Sequence, residues 1–259
     1  MSARAPARIH ASGAGEAVVG GLRIAGRERH QPYLRELQAG RKEPFMSRLF
    51  EHEVRRGATV VDAGAYVGFY TLVAADQAGP EGCVFAFEPD HEAYDALRGN
   101  VARNGVEDRV VALPFGLAER SGRRVFYEAT GDGSRNSLFP PIESAGLTTT
   151  MCMSLDDAVG AEAIDVVKLD IEGGEVEALR GMRRTLAASP RPSLFVECNP
   201  SALQRGGTSP RALLAELWHL GLEPRVIDET AGALVAPGPG LSTMRGHVNL
   251  FCRRGRAGV

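Results

Sequence analysis

Ala58-Thr-Val-Val-Asp-Ala-Gly-Ala-Tyr-Val-Gly-Phe-Tyr70 is the stretch that decides how this chain is read. Thr59, Val60 and Val61 form a β-branched run that favours a strand and ends at Asp62. Gly64 and Gly68 follow, and the apolar spacing then becomes helical through Phe69, Leu72 and Val73. A strand, tight turn and helix in this order suit a nucleotide-like ligand. Glycine permits positive φ and a close approach to the backbone, and the helix start presents unpaired N–H groups.

Working outward, the strand–helix alternation continues. Cys83–Glu88 is a short, largely apolar run typical of a strand buried on both faces, and Pro89 breaks it. Asp90 is placed to cap a helix carrying Tyr94, Leu97 and Val101, which Asn104-Gly105 stops. Strands are expected over Arg109–Leu113, Ile164–Asp170 and Leu194–Glu197, with one helix running from Val176 to Leu186. Ser209-Pro210 opens a helix whose Leu213, Leu214, Leu217 and Leu220 face inward, with Trp218 expected in the core. Arg225–Asp228, Ala233–Ala236 and His247–Arg253 read as closing strands. Before the opening strand, two helices are expected between His30 and Arg56, preceded by a loosely ordered start with a small strand near Ala17–Ile24. Residues 119–153, with candidate strands at 124–128 and 148–153 and a polar Gly/Ser/Asn loop, read as an insertion over one face.

The expected architecture is therefore α/β. It has a mostly parallel sheet with an antiparallel edge and helices on both faces. Residues 1–50 form an N-terminal helical extension or lid, and 51–259 the main domain. At 259 residues, 44% hydrophobic and 24% charged, the chain can build a sizeable core. A net charge of −2 argues against non-specific nucleic-acid or membrane binding. The four dispersed cysteines form no C-x-x-C and suit reduced thiols. No apolar run approaches the roughly 20 residues of a membrane helix, and the start lacks a signal-peptide core. A cytoplasmic protein is expected.

The first turn lacks the third glycine of G-x-G-x-x-G, and no P-loop pattern occurs. Asp62 would repel a phosphate but welcome a sulfonium or ammonium cation, which points to S-adenosylmethionine. Glu88, about 20 residues past Gly68, is placed to accept from two ribose hydroxyls, a role common to NAD and adenosylmethionine sites.

Further strings sharpen this reading: Val61–Thr71, Phe85-Ala-Phe-Glu-Pro-Asp90, Asn100-Val-Ala-Arg-Asn-Gly105, Ser154-Leu-Asp-Asp157, Val167-Lys-Leu-Asp-Ile-Glu-Gly-Gly-Glu-Val176 and Val196-Glu197. In order and spacing, they resemble the FkbM family of adenosylmethionine-dependent methyltransferases over about residues 40–200. Glu43 stands where that family usually has a glutamate; Tyr66 stands where it usually has Asn. The resemblance implies a Rossmann-like class I methyltransferase fold with a seven-stranded sheet. It implies cofactor contacts at Glu43, Asp62, Gly64, Ala65, Tyr66, Gly68, Glu88, Pro89 and Asp170, with adenine near Phe115–Ala118 and hence Gly116. It also implies O-methylation of a small hydroxylated acceptor such as a natural product or sugar.

Asp170, Glu172, Glu175 and Glu197 are all expected at the carboxyl edge of the sheet, where ligands bind in such folds. An alcohol resembling water has a pKa of about 15.7, so its ionisation at neutral pH would cost on the order of 12 kcal/mol. A general base acting as the methyl moves avoids that cost. The candidates are Asp170, Glu172 and Glu197, with His30 in the segment that could fold over the site. Helix-dipole pairing is the simpler account of Glu175, and capping that of Asp156. Asn136 and Ser137 are either substrate contacts or plain loop. Three carboxylates could instead hold Mg²⁺, although no further ligand pair stands out. Other readings remain: N-methylation, a nicotinamide oxidoreductase, a nucleic-acid methyltransferase, for which Asn199-Pro200-Ser201 is a poor base-methylating motif, and a non-catalytic adenosylmethionine-binding module.

Overall fold

A computed structural model of the chain describes residues 15–131, 133–141, 143–160 and 162–255. The first 14 residues of the expected loose start, His10 among them, lie outside these. The elements in chain order are β1 (Glu16–Val19), β2 (Leu22–Ala25), α1 (Gln31–Gln38), α2 (Pro44–Glu53), β3 (Thr59–Ala63), α3 (Phe69–Ala78), β4 (Cys83–Phe87) and α4 (His91–Asn104). Next come β5 (Val110–Leu113), β6 (Phe115–Leu117), β7 (Gly122–Ala129), β8 (Ser144–Met153), α5 (Leu155–Ala158), β9 (Val166–Leu169), α6 (Glu175–Arg180) and α7 (Arg183–Ala188). The chain closes with β10 (Ser193–Cys198), α8 (Pro200–Arg205), α9 (Pro210–His219), β11 (Leu222–Asp228), β12 (Ala233–Val235) and β13 (Val248–Arg254).

The main sheet runs β12-β11-β13-β10-β9-β3-β4-β5. The five strands from β10 to β5 are mutually parallel, whereas β13, β11 and β12 join antiparallel. The sheet thus has eight strands, one more than the resemblance implies, because the strand expected near Ala233–Ala236 forms as β12 and folds back on β11 as a hairpin. Alternation along the strands divides the core. Val60 of β3 packs in one buried cluster with α2, α3 and α4, while Val61 and Ala63 pack in another with α6, α7 and α9. Strand order reverses between β3 and β9, the position where open α/β sheets bind ligands. Residues 115–153 contain a second sheet, β6-β8-β7, beside this edge.

Three local expectations change. The small strand near residue 17 is a two-stranded hairpin turning at Gly20 and Gly21, and Asn100 accepts from Ala25 N and donates to Ala25 O and Val67 O, tying the hairpin to the β3–α3 turn. The helix expected from Val176 to Leu186 is two helices, because a Cβ at Gly181 would stand 2.2 Å from Ala118 O and Asp156 caps the second through Thr185 N and Oγ1. Trp218 is 54% exposed, since the inward stripe of α9 is Leu213 and Leu217, fully buried and four residues apart. Cys152, Cys198 and Cys252 are buried free thiols. Among the described residues, no helix is long and apolar enough to cross a membrane.

Candidate functional site

A cavity of about 650 Å³ opens at the carboxyl edge around the β3–β9 reversal. Asp62, Gly64, Ala65, Tyr66, Glu88, Pro89 and Gly116 line it, as do Glu43, Asp170, Glu172 and Glu197. Gly64 has φ +77°, and a Cβ there would meet Asp170 O at 1.9 Å, so no other residue fits between the first turn and the end of β9. Gly68 shapes the turn from behind, against Leu97.

The first turn and the tip of β4 are joined through one carboxylate. Glu88 Oε2 accepts from Tyr66 N at 2.7 Å, and Oε1 accepts from Asp90 N at 2.8 Å. Burial raises the Glu88 carboxyl to about 8, further helped by the Asp90 and Asp62 charges and opposed by the two amides. Asp62 Oδ2 accepts from the Thr71 hydroxyl at 2.6 Å, while Oδ1 is buried without a hydrogen-bond partner. Burial raises this carboxyl too, against the opposing charge of Lys168. A buried, unpartnered acceptor calls for a donor.

Three non-glycine residues among those described adopt left-handed backbone: Glu43 (φ 46°), Tyr66 (φ 52°) and Glu172 (φ 54°). All three line the cavity. Each such residue costs of order 1–3 kcal/mol and persists only where its surroundings hold it. Tyr66 is held by edge-to-face contacts with His30 and Tyr33, at centroid distances of 5.2 and 5.0 Å. Glu43 is held by Tyr70 Oη, donating to Oε2 at 3.0 Å, and by Asn249 Nδ2, donating to Oε1 at 2.7 Å. Burial works against ionisation of Glu43, but His247, Lys42, Lys168 and Asn249 together hold its carboxyl well below the usual range. Glu172 is held by Ser137 Oγ, which donates to its backbone carbonyl at 2.7 Å.

The acids sort by environment. Asp170, Glu172 and Glu197 bring one oxygen each within 4.8 Å of one another. Each faces a basic side chain: Lys168 Nζ is 3.2 Å from Asp170, Arg205 Nη2 3.9 Å from Glu172, and the His247 imidazole Nδ1 3.6 Å from Glu197. Glu172 Oε2 and Glu197 Oε2 are nevertheless buried without a hydrogen-bond partner. Burial, then the charges of Asp170 and Glu175, raises Glu172 to about 7; burial and the Asp170 charge push Glu197 well above the usual range. Glu175 accepts from Gly173 N and Ile171 N and staples the turn before α6, a structural role.

His30 does not line the cavity. It is fully buried behind Tyr66, and the neighbouring segment instead contributes Tyr33, Lys42 and Glu43 to the wall. Asn136 donates to Asp90 Oδ2 at 2.7 Å, and Arg29 also pairs with Asp90, so residues 133–137 are latched to the start of α4. Sequence reasoning missed Arg205, His247 and Asn249. His247 precedes a closing strand with no motif around it, and only its spacing of two from Asn249 placed both on one strand face.

The acceptor-rich wall around Asp62 and Glu88 fits a ligand bearing cationic and hydroxyl donors, while Phe115, Leu117 and Leu138 give the same cavity an apolar end suited to a base.

A family model described as Methyltransferase FkbM domain matches residues 62–224. The chain is 29% identical over 151 residues to the hexuronic acid methyltransferase AglP of Haloferax volcanii, the match covering 56% of this chain and 59% of that one. It is 27% identical over 156 residues to the 2-O-methyltransferase NoeI of Sinorhizobium fredii, covering 53% and 62%. The match thus spans about 60% of the length of these relatives. In fold it is similar to a Clostridium thermocellum protein described as an rRNA methylase, with TM-score 0.52, 12% identity and coverage of 81% of this chain and 94% of that one. A Streptococcus mutans protein described as a methyltransferase and solved with S-adenosylhomocysteine gives TM-score 0.50 at 9% identity, covering 82% of this chain and 97% of that one.

Proposed function

The chain belongs to the FkbM methyltransferase family and is a S-adenosylmethionine-dependent methyltransferase; on that premise we propose that it methylates a hydroxyl of a small polyhydroxylated acceptor. The observation that carries this reading is the pair of buried, unpartnered oxygens, Glu172 Oε2 and Glu197 Oε2, on the wall of the same cavity as Asp62 and Glu88. Buried carboxyl oxygens without hydrogen-bond partners select a ligand that brings hydroxyls, which can donate to them or accept from them. An acceptor carrying adjacent hydroxyls satisfies both oxygens, which agrees with relatives named for a hexuronic acid and for a 2-O position.

The bound cofactor supplies an electrophilic methyl group. Asp62 and Glu88 accept from its donors, Pro89 and Gly116 flank its apolar part, and Glu43, Ala65, Tyr66 and Asp170 close the wall around it. Glu172 and Glu197 orient the acceptor, and holding the reactants in line contributes roughly 7–11 kcal/mol in well-ordered cases. Residues 15–50 act as a cap through Tyr33, Lys42 and Glu43, and the β7–β8 loop as a second wall through Asn136 and Ser137.

The test is transfer of labelled methyl from S-adenosylmethionine to a panel of methyl pyranosides and their amino-sugar counterparts, with products read by mass spectrometry, in the presence and absence of EDTA. An O-methyl product that persists in EDTA supports the reading. Transfer only to amines, or loss of transfer in EDTA, overturns hydroxyl chemistry assisted by the chain's own residues.

A further inference from the structure

His247 lies just before β13 and lines the cavity between two carboxylates that other elements deliver. Its Nε2 is 3.8 Å from Glu43 Oε1, and its Nδ1 is 3.6 Å from Glu197 Oε1. The two neighbours differ in kind. Glu43 is fixed by Tyr70 and Asn249, with Lys42 3.6 Å away, and stays ionised. Glu197 is buried at the end of β10 and resists ionisation. Neither separation is a hydrogen bond, but the charge of ionised Glu43 favours the tautomer whose proton is on Nε2, facing it, and leaves the Nδ1 lone pair toward Glu197. The separation at Nδ1 exceeds a hydrogen bond, so neither Nδ1 nor Glu197 satisfies the other.

We propose that His247 is the catalytic base of the methyl transfer, oriented by Glu43 and receiving through Nδ1 the proton of an acceptor hydroxyl that lies against Glu197. The inference rests on the hydroxyl reading above. The arrangement has the logic of an oriented base, in which a fixed carboxylate holds an imidazole whose other nitrogen faces the reacting group. As the acceptor oxygen bonds to the methyl carbon and the S–CH₃ bond breaks, the O–H proton passes to Nδ1. The positive charge lost from sulfur reappears on an imidazolium that ionised Glu43 stabilises. The His247 side chain is 42% exposed, so the proton has a route to solvent after each turnover. Around the ring stand Lys42 and Glu43 from the segment entering α2, Asp170 and Glu172 from the turn after β9, and Glu197 from β10. Their balance raises the imidazole above its usual value, chiefly through Glu43.

The experiment compares wild type with His247→Gln and His247→Asn. It records S-adenosylhomocysteine affinity by calorimetry, and kcat against pH for the best pyranoside of the panel. In parallel, the His247 ring is titrated by NMR in wild type and in Glu43→Gln. We expect both His247 variants to bind S-adenosylhomocysteine within about three-fold of wild type and to lose about 10²- to 10⁴-fold in kcat. The acidic limb of the pH profile should vanish in both, and the His247 pKa should fall in Glu43→Gln. A kcat within about three-fold of wild type, or a lowered kcat that keeps the limb, overturns the proposal. So does an unchanged His247 pKa in Glu43→Gln, which is read whether or not an acceptor turns over. Failure of wild type itself to methylate any pyranoside, with normal S-adenosylhomocysteine binding and the expected NMR shift, contradicts the acceptor reading and leaves the Glu43–His247 pairing standing.

Discussion

Tyr66 N donates to Glu88 Oε2 at 2.7 Å, so the left-handed turn after β3 and the tip of β4 form one unit. The cofactor end of the cavity is built on this hydrogen bond.

Removing the Glu88 carboxylate orphans two buried amides, those of Tyr66 and Asp90. Each buried donor left unsatisfied costs about 1–3 kcal/mol. Glu88→Ala is therefore expected to weaken S-adenosylhomocysteine binding at least about 100-fold by calorimetry. Glu88→Gln is not conservative, because its NH₂ group must face one of the two N–H donors, and it too loses affinity. Wild-type affinity in Glu88→Gln would contradict this account.

Tyr66 stands in a conformation that Asn tolerates better. Tyr66→Asn would relieve about 1–2 kcal/mol of backbone strain. It would also remove two edge-to-face contacts of about 0.5–1.5 kcal/mol each and a buried ring worth about 1.5–3 kcal/mol. The expected net change is a destabilisation of about 2 kcal/mol, measured by urea unfolding. A variant as stable as wild type would show that the aromatic contacts do not hold the turn.

Burial raises Glu88 to about 8 and Glu172 and Glu175 to about 7, and puts Glu197 well above the usual range. In the folded state these groups keep protons that the unfolded chain releases above about pH 4.3. Their contribution is fully present below that value and is lost as pH rises through the folded values of 7 to 8. Glu43, whose carboxyl is lowered, acts in the opposite sense, but only below the unfolded value. The Tm of the free protein should therefore fall between about pH 5 and pH 8, with a shallower slope in Glu197→Gln. Calorimetry checks it; a Tm that rises over this range would refute the assignment.

Asn136 links the β7–β8 loop to Asp90, the N-cap of α4, which also accepts from Ala93 N at 2.8 Å. Asn136→Ala should speed amide exchange across residues 129–137 about ten-fold and leave α4 protected, since Asp90 still caps it. Unchanged exchange in the loop would mean that the latch does not restrain it.

How much of this was legible in the sequence depends on whether the determinant was local. Asp62, Gly64, Glu88 and Asp170 lie at strand ends, where a β-branched run, a glycine and a following helix mark the position, and the structure brings them to one cavity. The strand at Ala233–Val235 was legible, whereas the break at Gly181 depends on a close backbone contact that periodicity does not encode. His30 had the right segment but the wrong residue: Tyr33, three positions on, reaches the cavity while His30 packs behind Tyr66. Glu43 and His247 meet across 204 residues (247 − 43) through pairing of β13 with β10, which no short motif reports.

The most direct test of the central claim is a crystal structure with S-adenosylhomocysteine and a methyl pyranoside. The account predicts ribose hydroxyls on Glu88, sulfur facing the Asp170, Glu172 and Glu197 edge, and an acceptor hydroxyl between that sulfur and His247. A sulfur directed away from this edge, or an acceptor hydroxyl remote from Glu172 and Glu197, would contradict it.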